Sequence, residues 1–221
     1  MLFQPCNDTK ICVQLQSGID FLYTSVNLVK KIYFVTTNTG KVASLMQRIE
    51  PDRFEIVARP VYISEIQADF AKDIVYEKAK VAYSILKKPL LVHDSSFHIP
   101  ALNNFPGVYA KYMNETIGID GILKLMRGVG DRSCYFQGAL AFADKNEIRV
   151  FSSKTRMGTI ATKVHTFDHP RAWSALWKIY IPFGCTKTMS AFSDEELQVV
   201  RNKKRKNEFQ KFAEWINAKD F

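Results

Sequence analysis

Hydrophobic positions in the first third of the chain predict an alternation of strands and helices. Residues 32–36 form a run of β-branched and aromatic side chains, which is typical of a buried strand. Polar residues with turn chemistry follow at 37–41, and apolar residues at helical spacing over 42–49 predict a helix. Residues 54–63 favour a second strand, and residues 71–86 carry the broad apolar face of the clearest helix. This order of elements is typical of an α/β domain.

The same kind of pattern continues towards the end of the chain. Residues 90–92 predict a short buried strand that leads directly into a polar turn at residues 93–96. The other predicted elements are a short helix at 119–126, strands at 134–143, 148–152 and 157–162, and a last helix that Ser193 caps and that runs to about residue 217. Residues 1–30 show little periodicity. We therefore interpret them as an N-terminal extension of unknown role or as an edge element, in front of one α/β domain at residues 31–221.

Composition and charge narrow the class of protein. The chain has 221 residues, and its 47% hydrophobic content is that of a folded globular protein. It contains no run of about 18 apolar residues, so we expect no membrane span. Cys6, Cys12, Cys134 and Cys185 show no metal-finger spacing, which favours free thiols in a reducing compartment and a cytoplasmic location. The formal net charge of +9 predicts an anionic partner, either nucleic acid or nucleotide phosphates.

The turn at residues 36–41 is the first candidate for chemistry. Backbone amides at a helix start, together with Lys41, form a natural phosphate site. The turn differs from the P-loop motif because the first glycine is missing, and Val42 stands where that motif has the Ser or Thr that meets magnesium. An ordinary strand-to-helix turn is the alternative interpretation.

Two carboxylates follow predicted strands. Asp94 comes directly after the strand at residues 90–92, and Glu65 follows the strand at residues 54–63. Ligands of open α/β sheets collect at the carboxyl ends of strands, and a pair of carboxylates there suits a hard cation such as Mg²⁺. The alternative role of each acid is to close a turn or to cap a helix.

Histidines give weaker indications of function. His93 lies beside Asp94, where it either binds a metal or forms a structural hydrogen bond. We interpret His165 and His169 as loop or packing residues, because the neighbouring Pro170 excludes a helix that would present both to one metal. No motif of covalent catalysis is visible.

A basic run near the end of the chain has two interpretations. Residues 201–206 contain five cations, and residues 201–221 carry a net charge of +4, from seven cations and three acids. Such a run is either a solvated helix face or a docking surface for phosphate or nucleic acid.

Several of these segments, taken in order, resemble the inosine triphosphate pyrophosphatase family, whose members hydrolyse non-canonical purine nucleoside triphosphates. The resemblance covers roughly residues 31–217. Its most specific part is residues 101–109, Ala-Leu-Asn-Asn-Phe-Pro-Gly-Val-Tyr, which is similar to the family pattern aLnG-PGvYs. The other matching segments are residues 36–41, 65–67, 77–79, 91–97, 158–160 and 182–184, with Thr188.

The resemblance implies a fold, a mechanism and a set of site residues. It implies a single domain with a central mixed, strongly twisted sheet flanked by helices, and a homodimer. Glu65 and Asp94 would hold Mg²⁺, with Mn²⁺ as a second suitable metal. Asp94 would also orient or deprotonate the water that attacks between the α and β phosphates, and Lys41 would neutralise charge there. The implied substrate-binding residues are Thr36, Asn38, Lys41, Ser95, Trp173 and Lys203.

The chain departs from the family mainly at the positions that read the base. Residues 173–175 replace an aromatic-Asp-Pro segment, and residues 201–203 replace Ser-His-Arg. Ser44 stands in place of a glutamate, and His93 in place of one of two paired acids. Loss of groups that hydrogen-bond a base loosens specificity.

Two hypotheses follow from this combination. The first is a Mg²⁺-dependent nucleotide pyrophosphatase with altered or relaxed base choice. The second is a catalytically weakened relative whose basic C-terminal helix binds nucleic acid or a protein partner. Retention of Lys41, Glu65 and Asp94 favours the enzyme.

Overall fold

The computed structural model of the chain describes residues 5–6, 10–11, 29–64, 66–170, 172, 174–202 and 206–219. The strands are β1 (Pro5–Cys6), β2 (Lys10–Ile11), β3 (Lys30–Phe34), β4 (Phe54–Ala58), β5 (Leu90–His98), β6 (Pro106–Gly107), β7 (Ser133–Ala143), β8 (Ile148–Ile160) and β9 (Tyr180–Pro182). The helices are α1 (Thr39–Met46), α2 (Ala71–Leu86), α3 (Ala110–Thr116), α4 (Gly118–Leu125), α5 (Asp194–Asn202) and α6 (Glu208–Asn217). Short 3₁₀ turns lie at Pro100–Leu102, Ala175–Lys178 and Met189–Ala191.

One mixed sheet forms the centre of the described part of the chain. Its strand order is β4-β3-β5-β7-β8-β9, and β6 pairs with β5. β3 is parallel to both β4 and β5, whereas β5, β7, β8 and β9 pair antiparallel in succession. The predicted single α/β domain with a central mixed sheet is confirmed. β1 and β2 pair with each other, and the division of the chain at residue 30 stays a prediction.

Helices cover both faces of this sheet. One core, which includes Phe34 and Leu91, packs α1 and α6 against the sheet. The opposite core, which includes Val35 and Val92, packs α2. A third core around Phe97 joins the ends of β5, β7 and β8 to α3 and α4. Among the described helices, none combines the length and the apolar character needed to cross a membrane.

Strand β5 is longer than the sequence predicts, and this changes the position of Asp94. The prediction of a turn at residues 93–96 is wrong, because all nine residues of β5 pair with β7, including Asp94 with Ala139. The polar residues stay in the strand because β7 supplies backbone partners that local propensity cannot reveal. Asp94 therefore lies in the middle of a strand and not at its carboxyl end.

The predicted last helix is divided into two. Ser193 caps α5 as expected: its Oγ accepts from the backbone N of Glu196 at 3.3 Å. Asn207 then has an extended backbone, and its Oδ1 accepts from the backbone N of Gln210 at 2.9 Å, so that α6 begins with a cap of its own. The prediction of one continuous helix to residue 217 is wrong for this reason.

Two further strands differ in length from the prediction. β4 ends at Ala58, because its pairing with β3 stops at Phe34. β8 runs without interruption over Ile148–Ile160, where the sequence predicts two strands. β7 pairs with it from Ile148 to Thr159, with a register shift between Phe136 and Gln137, and β9 pairs with its last three residues, from Gly158 to Ile160.

Candidate active site

The turn that follows β3 is built by local hydrogen bonds. Thr36 Oγ1 accepts from the backbone N of Asn38 at 3.1 Å, and Asn38 Oδ1 accepts from the backbone N of Lys41 at 3.1 Å. Asn38 is thereby the cap of α1, which starts at Thr39, earlier than the predicted residue 42. The structure brings three predicted substrate-binding residues, Thr36, Asn38 and Lys41, into one hydrogen-bonded turn.

This turn has the electrostatic character of an anion site. The first turn of α1 contains no acidic residue, so nothing there opposes the partial positive charge at the helix start. Gly40 is exposed, and a Cβ at that position would lie 3.2 Å from Asn38 Oδ1. The missing side chain keeps the backbone accessible, and Lys41 adds a formal positive charge beside it. The turn therefore suits phosphate oxygens.

Asp94 lies on the strand next to this turn. The pairing of β3 with β5 ends at Phe34 and Leu91, and the backbone N of Val35 still donates to the Leu91 carbonyl at 2.8 Å. Asp94 is three residues further along β5, or about 10 Å. It shares a sheet face with Val92 by alternation, which is the face that α2 covers. The half-buried Asp94 thus lies beyond the carboxyl end of β3, the end at which the capped turn begins.

His98 lies further along β5 on the same sheet face as Asp94. Its Nε2 is 2.8 Å from Ser96 Oγ, and its ring stacks on Tyr135 with the centroids 4.6 Å apart. Lys154 Nζ lies 3.7 Å from the centroid of the Tyr135 ring. Burial and the Lys154 charge lower the pKa of His98, and a hydrogen bond to the Asn104 backbone partly opposes this shift.

The opposite face of β5 carries a polar cluster that the sequence analysis missed. His93 Nε2 lies 3.1 Å from Glu208 Oε1, and Ser153 Oγ donates to Glu208 Oε2. Glu208 is only 4% exposed, although it is the first residue of α6. Gly138 lies directly below, and a Cβ there would overlap the Glu208 carboxyl group. His93 therefore has a structural hydrogen-bond partner, which favours that alternative for it. Ser95 shares this face by alternation and pairs with Gly138.

Two signals in the sequence could have located this cluster. Asn207 and Gln210 have the spacing of a capping box, which places Glu208 at a helix start. Gly138 interrupts an apolar strand, and an isolated glycine in a strand indicates a close approach of another group. Neither signal identifies His93 as the partner, since 115 residues separate it from Glu208.

Three predicted site residues, Glu65, Trp173 and Lys203, lie outside the described residues. Because β4 ends at Ala58, the expectation that Glu65 directly follows a strand is wrong. Within the ranges that the structure describes, no three His, Cys, Asp or Glu side chains are grouped as a metal site. Asp94 is thus the described member of the predicted metal pair, and its carboxylate is a ligand type that suits Mg²⁺.

A groove of about 560 Å³ lies near the predicted base-reading segment. His165, Phe167, His169 and Ser190 are among its lining residues. His165 Nδ1 is 3.3 Å from Ser190 Oγ, and the buried His169 packs against Trp177 with ring centroids 5.4 Å apart. These contacts agree with the interpretation of both histidines as loop and packing residues.

Two further groups bear on covalent chemistry and on a basic docking surface. Burial raises the pKa of the Cys134 thiol to about 12, so it stays protonated and unreactive at neutral pH. Of the basic run, Lys206 forms an ion pair with Glu214, with Nζ and Oε1 2.7 Å apart. The side chains of residues 201–205 lie outside the described part, and nucleic-acid binding there stays a prediction.

Comparisons with known proteins agree with the resemblance. The model of the Ham1 family matches residues 32–215. A dITP/XTP pyrophosphatase of Saccharolobus solfataricus is 35% identical over 193 residues, which cover 85% of this chain and 94% of the relative. A dITP/XTP pyrophosphatase of Pyrococcus horikoshii is 32% identical over 190 residues, with 85% and 97% covered.

Solved structures agree at the level of the fold. The Ham1 protein of Staphylococcus aureus has a TM-score of 0.71 at 20% identity, over 86% of this chain and 100% of that one. A HAM1 protein of Coxiella burnetii has a TM-score of 0.72 at 16% identity, with the same coverage. The family expected from the sequence is confirmed, and the chain belongs to the Ham1 family.

Proposed function

We propose that this chain is a metal-dependent nucleoside triphosphate pyrophosphatase that acts on non-canonical purine nucleotides with an altered base choice. The observation that carries the proposal is the position of the capped turn of Thr36, Asn38 and Lys41 at the carboxyl end of β3, with Asp94 on the neighbouring strand β5. The names of the relatives, dITP/XTP pyrophosphatases, support this substrate class.

The site residues that the structure describes have the following roles in the proposed reaction. The start of α1 and the Lys41 ammonium bind the triphosphate and neutralise its charge. Asp94 orients a water molecule and accepts its proton as the water oxygen bonds to the α-phosphorus. The bond from that phosphorus to the oxygen leading to the β-phosphate breaks, which releases pyrophosphate and a nucleoside monophosphate. Ser95, on the opposite face of β5 from Asp94, is assigned to substrate binding.

Asp94 and Glu65 are the proposed holders of Mg²⁺, with Mn²⁺ as a second suitable metal. The oxygen ligands they offer are those that both ions prefer. When bound, such an ion polarises phosphoryl oxygens and stabilises the charge that develops on them. The homodimer and the cytoplasmic location implied by the sequence stay predictions.

The hydrogen bonds of Ser174 support an altered base choice, because this residue stands where the family has an acid. Its Oγ accepts from the backbone N of Leu176 at 3.2 Å and from Asn114 Nδ2 at 3.3 Å. The first bond caps the 3₁₀ turn Ala175–Lys178 and the second links it to α3, so the Ser174 side chain has a structural role. We propose that the groove lined by Phe167 and His165 holds the base. The substrate-binding roles of Trp173 and Lys203 stay predictions.

The test is pyrophosphate release from dITP, XTP, ITP and the canonical triphosphates, with Mg²⁺ and with Mn²⁺. We expect turnover of the non-canonical purine nucleotides, and we expect Asp94→Asn to lower kcat by about 100-fold or more, as loss of a general base does. Asp120→Asn is the matched control, because Asp120 is an exposed helix acid. No turnover by the wild-type protein across the panel contradicts the proposal.

A further inference from the structure

A buried carboxylate joins the last helix to the strand that carries Asp94. Glu208 begins α6, and its carboxylate contacts His93 on β5 and Ser153 on β8, above Gly138 on β7. Three strands and one helix therefore meet at a single side chain. We infer that Glu208 is a positioning residue, which acts through His93 to fix Asp94. This inference rests on the proposed function, in which Asp94 does the chemistry.

Burial of this carboxylate costs free energy, so we ask which contacts compensate for it. The side chains of His93 and Glu208 are 5% and 6% exposed. Removing a carboxylate from water costs several kcal/mol unless hydrogen bonds replace the water. The neighbouring residues of α6 that face the sheet, Phe209 and Phe212, show that an apolar side chain suits this interface. Unlike an apolar side chain, the carboxylate holds its partners in a defined orientation, because its two oxygens bind side chains on two different strands.

The contacts hold His93 in one orientation. Glu208 Oε1 meets the ring at Nε2, and the Phe209 ring stacks on its flat side with centroids 4.8 Å apart and planes inclined by 22°. A hydrogen bond in the plane of the ring and a stacked ring above it leave the imidazole little freedom to rotate. The backbone of His93 is fixed with it, and the next residue is Asp94.

Strand β5 is in need of such support at this point. Its pairing with β3 ends at Leu91, so among the described residues the ladder that continues alongside Asp94 is the one with β7. Glu208 supplies a second attachment from outside the sheet. Displacement of a reacting group by about 1 Å can lower a rate by about 100-fold, so a fixed strand matters for the rate more than for substrate binding.

The contact also accounts for Gly138. Any larger residue would push a Cβ into the Glu208 carboxyl group. Gly138 pairs with Ser95 on one side and with Ser153 on the other. The missing side chain at Gly138 leaves room above the sheet for the Glu208 carboxylate. Glu208 at the start of α6 therefore fits against Gly138, which has no side chain, and hydrogen-bonds to His93 and Ser153.

The experiment is a double-mutant cycle that measures kcat and KM. The substrate is the triphosphate that the wild-type protein hydrolyses fastest. Glu208→Ala and His93→Ala are each expected to lower kcat about 10-fold with KM changed less than about twofold, because positioning acts on the chemical step. The double variant is expected to be no slower than the slower single variant, since the two residues act as one unit. Glu208→Gln keeps the shape of the side chain and is expected to fall between Glu208→Ala and wild type; it also carries the test if Glu208→Ala does not fold.

Phe212→Leu is the matched control for a purely structural role. Phe212 lies on the same helix and the same face, is fully buried and packs against Phe142 and Phe151. Its substitution is expected to lower the melting temperature with kcat within twofold of wild type at 25 °C. A kcat within twofold of wild type in the folded Glu208 and His93 variants overturns the inference, and so do additive losses in the double variant. A wild-type protein without any turnover overturns the proposed function and this inference with it.

Discussion

Strand β5 carries two histidines, and their surroundings give them different properties. His93 faces α6 and meets the carboxylate of Glu208. His98 lies on the opposite face, against Ser96 and Tyr135, with the Lys154 ammonium above the tyrosine ring. The residue type is the same, but one ring meets an acid and the other meets a cation. The two rings therefore have neighbours of opposite formal charge.

The first prediction concerns the pKa of His98. Burial and Lys154 lower it below the ordinary value of 6.5. Lys154→Met removes the nearby charge, so we expect the pKa of His98 to rise towards the ordinary value without reaching it, because burial remains. NMR titration of the imidazole signals measures this, and Lys145→Met in the exposed β7–β8 turn is the control. An unchanged His98 pKa in Lys154→Met would contradict the prediction.

The same shift gives stability a dependence on pH with a defined sign. The unfolded chain protonates this histidine near pH 6.5, whereas the folded protein does so only at lower pH. As the pH falls from about 7.5 through 6.5 to the folded pKa, the unfolded state binds more protons and the folded state loses stability. His98→Asn removes this contribution, so its melting temperature should change less than that of wild type over this interval.

At the scale of elements, the contact between α6 and the sheet depends on Gly138, a position in β7 without a side chain. The capping box of Asn207 and Gln210 fixes where the helix starts, and Glu208 then meets the sheet over Gly138. The helix could not approach in this way over a residue with a side chain. Its placement is thus set jointly by the cap and by one glycine.

The second prediction is that Gly138→Ala destabilises the protein by about 3 kcal/mol. The added methyl group overlaps the Glu208 carboxyl group, which must leave its two hydrogen bonds or displace the helix. Urea unfolding followed by circular dichroism measures the loss. Gly130→Ala is the matched control, because a Cβ at Gly130 would meet no atom within 4 Å. Equal stabilities of the two variants would show that α6 does not approach β7 so closely.

At the scale of the whole molecule, the end of α6 closes the fold by contacts with distant parts of the chain. Arg53 donates to the carbonyls of Asn217 and Lys219. Lys219 Nζ in turn lies 2.8 Å from Glu147 Oε1, in the turn between β7 and β8. The C-terminal segment is thereby tied to both the β4 side and the β7–β8 side of the sheet.

The third prediction is that this closure weakens in acid. The hydrogen bond from Lys219, assisted by Arg149, lowers the pKa of Glu147 below its ordinary value of 4.5. A depressed folded pKa means that the stabilisation is complete above pH 4.5 and is lost as the pH falls through the folded value. Glu147→Gln should therefore melt below wild type at pH 7, and the difference should vanish at about pH 3. A difference that persists unchanged at pH 3 would contradict this assignment, and Glu115→Gln, on an exposed helix surface, is the control.

Much of the architecture could be predicted because it is encoded locally. The helix at residues 71–86 has the bounds that the sequence predicts, since its apolar face depends on neighbours in sequence. The capped turn at Asn38 is likewise a local structure. The family was recognisable because several such segments occur in one order. The predictions failed at β5 and at the last helix, where the outcome depended on partners elsewhere in the chain.

By itself, the sequence determined the class of fold and the strand-to-helix turn at residues 36–41, because short-range periodicity and turn chemistry are properties of neighbouring residues. Phosphate binding at this turn and the role of Asp94 stay predictions. Only the tertiary structure decided that β5 continues through Asp94, because β7 lies 45 residues away and supplies its hydrogen bonds. It also decided that Glu208 meets His93 across 115 residues. Contacts over such distances are selected by the packing of the whole sheet, which no local pattern records.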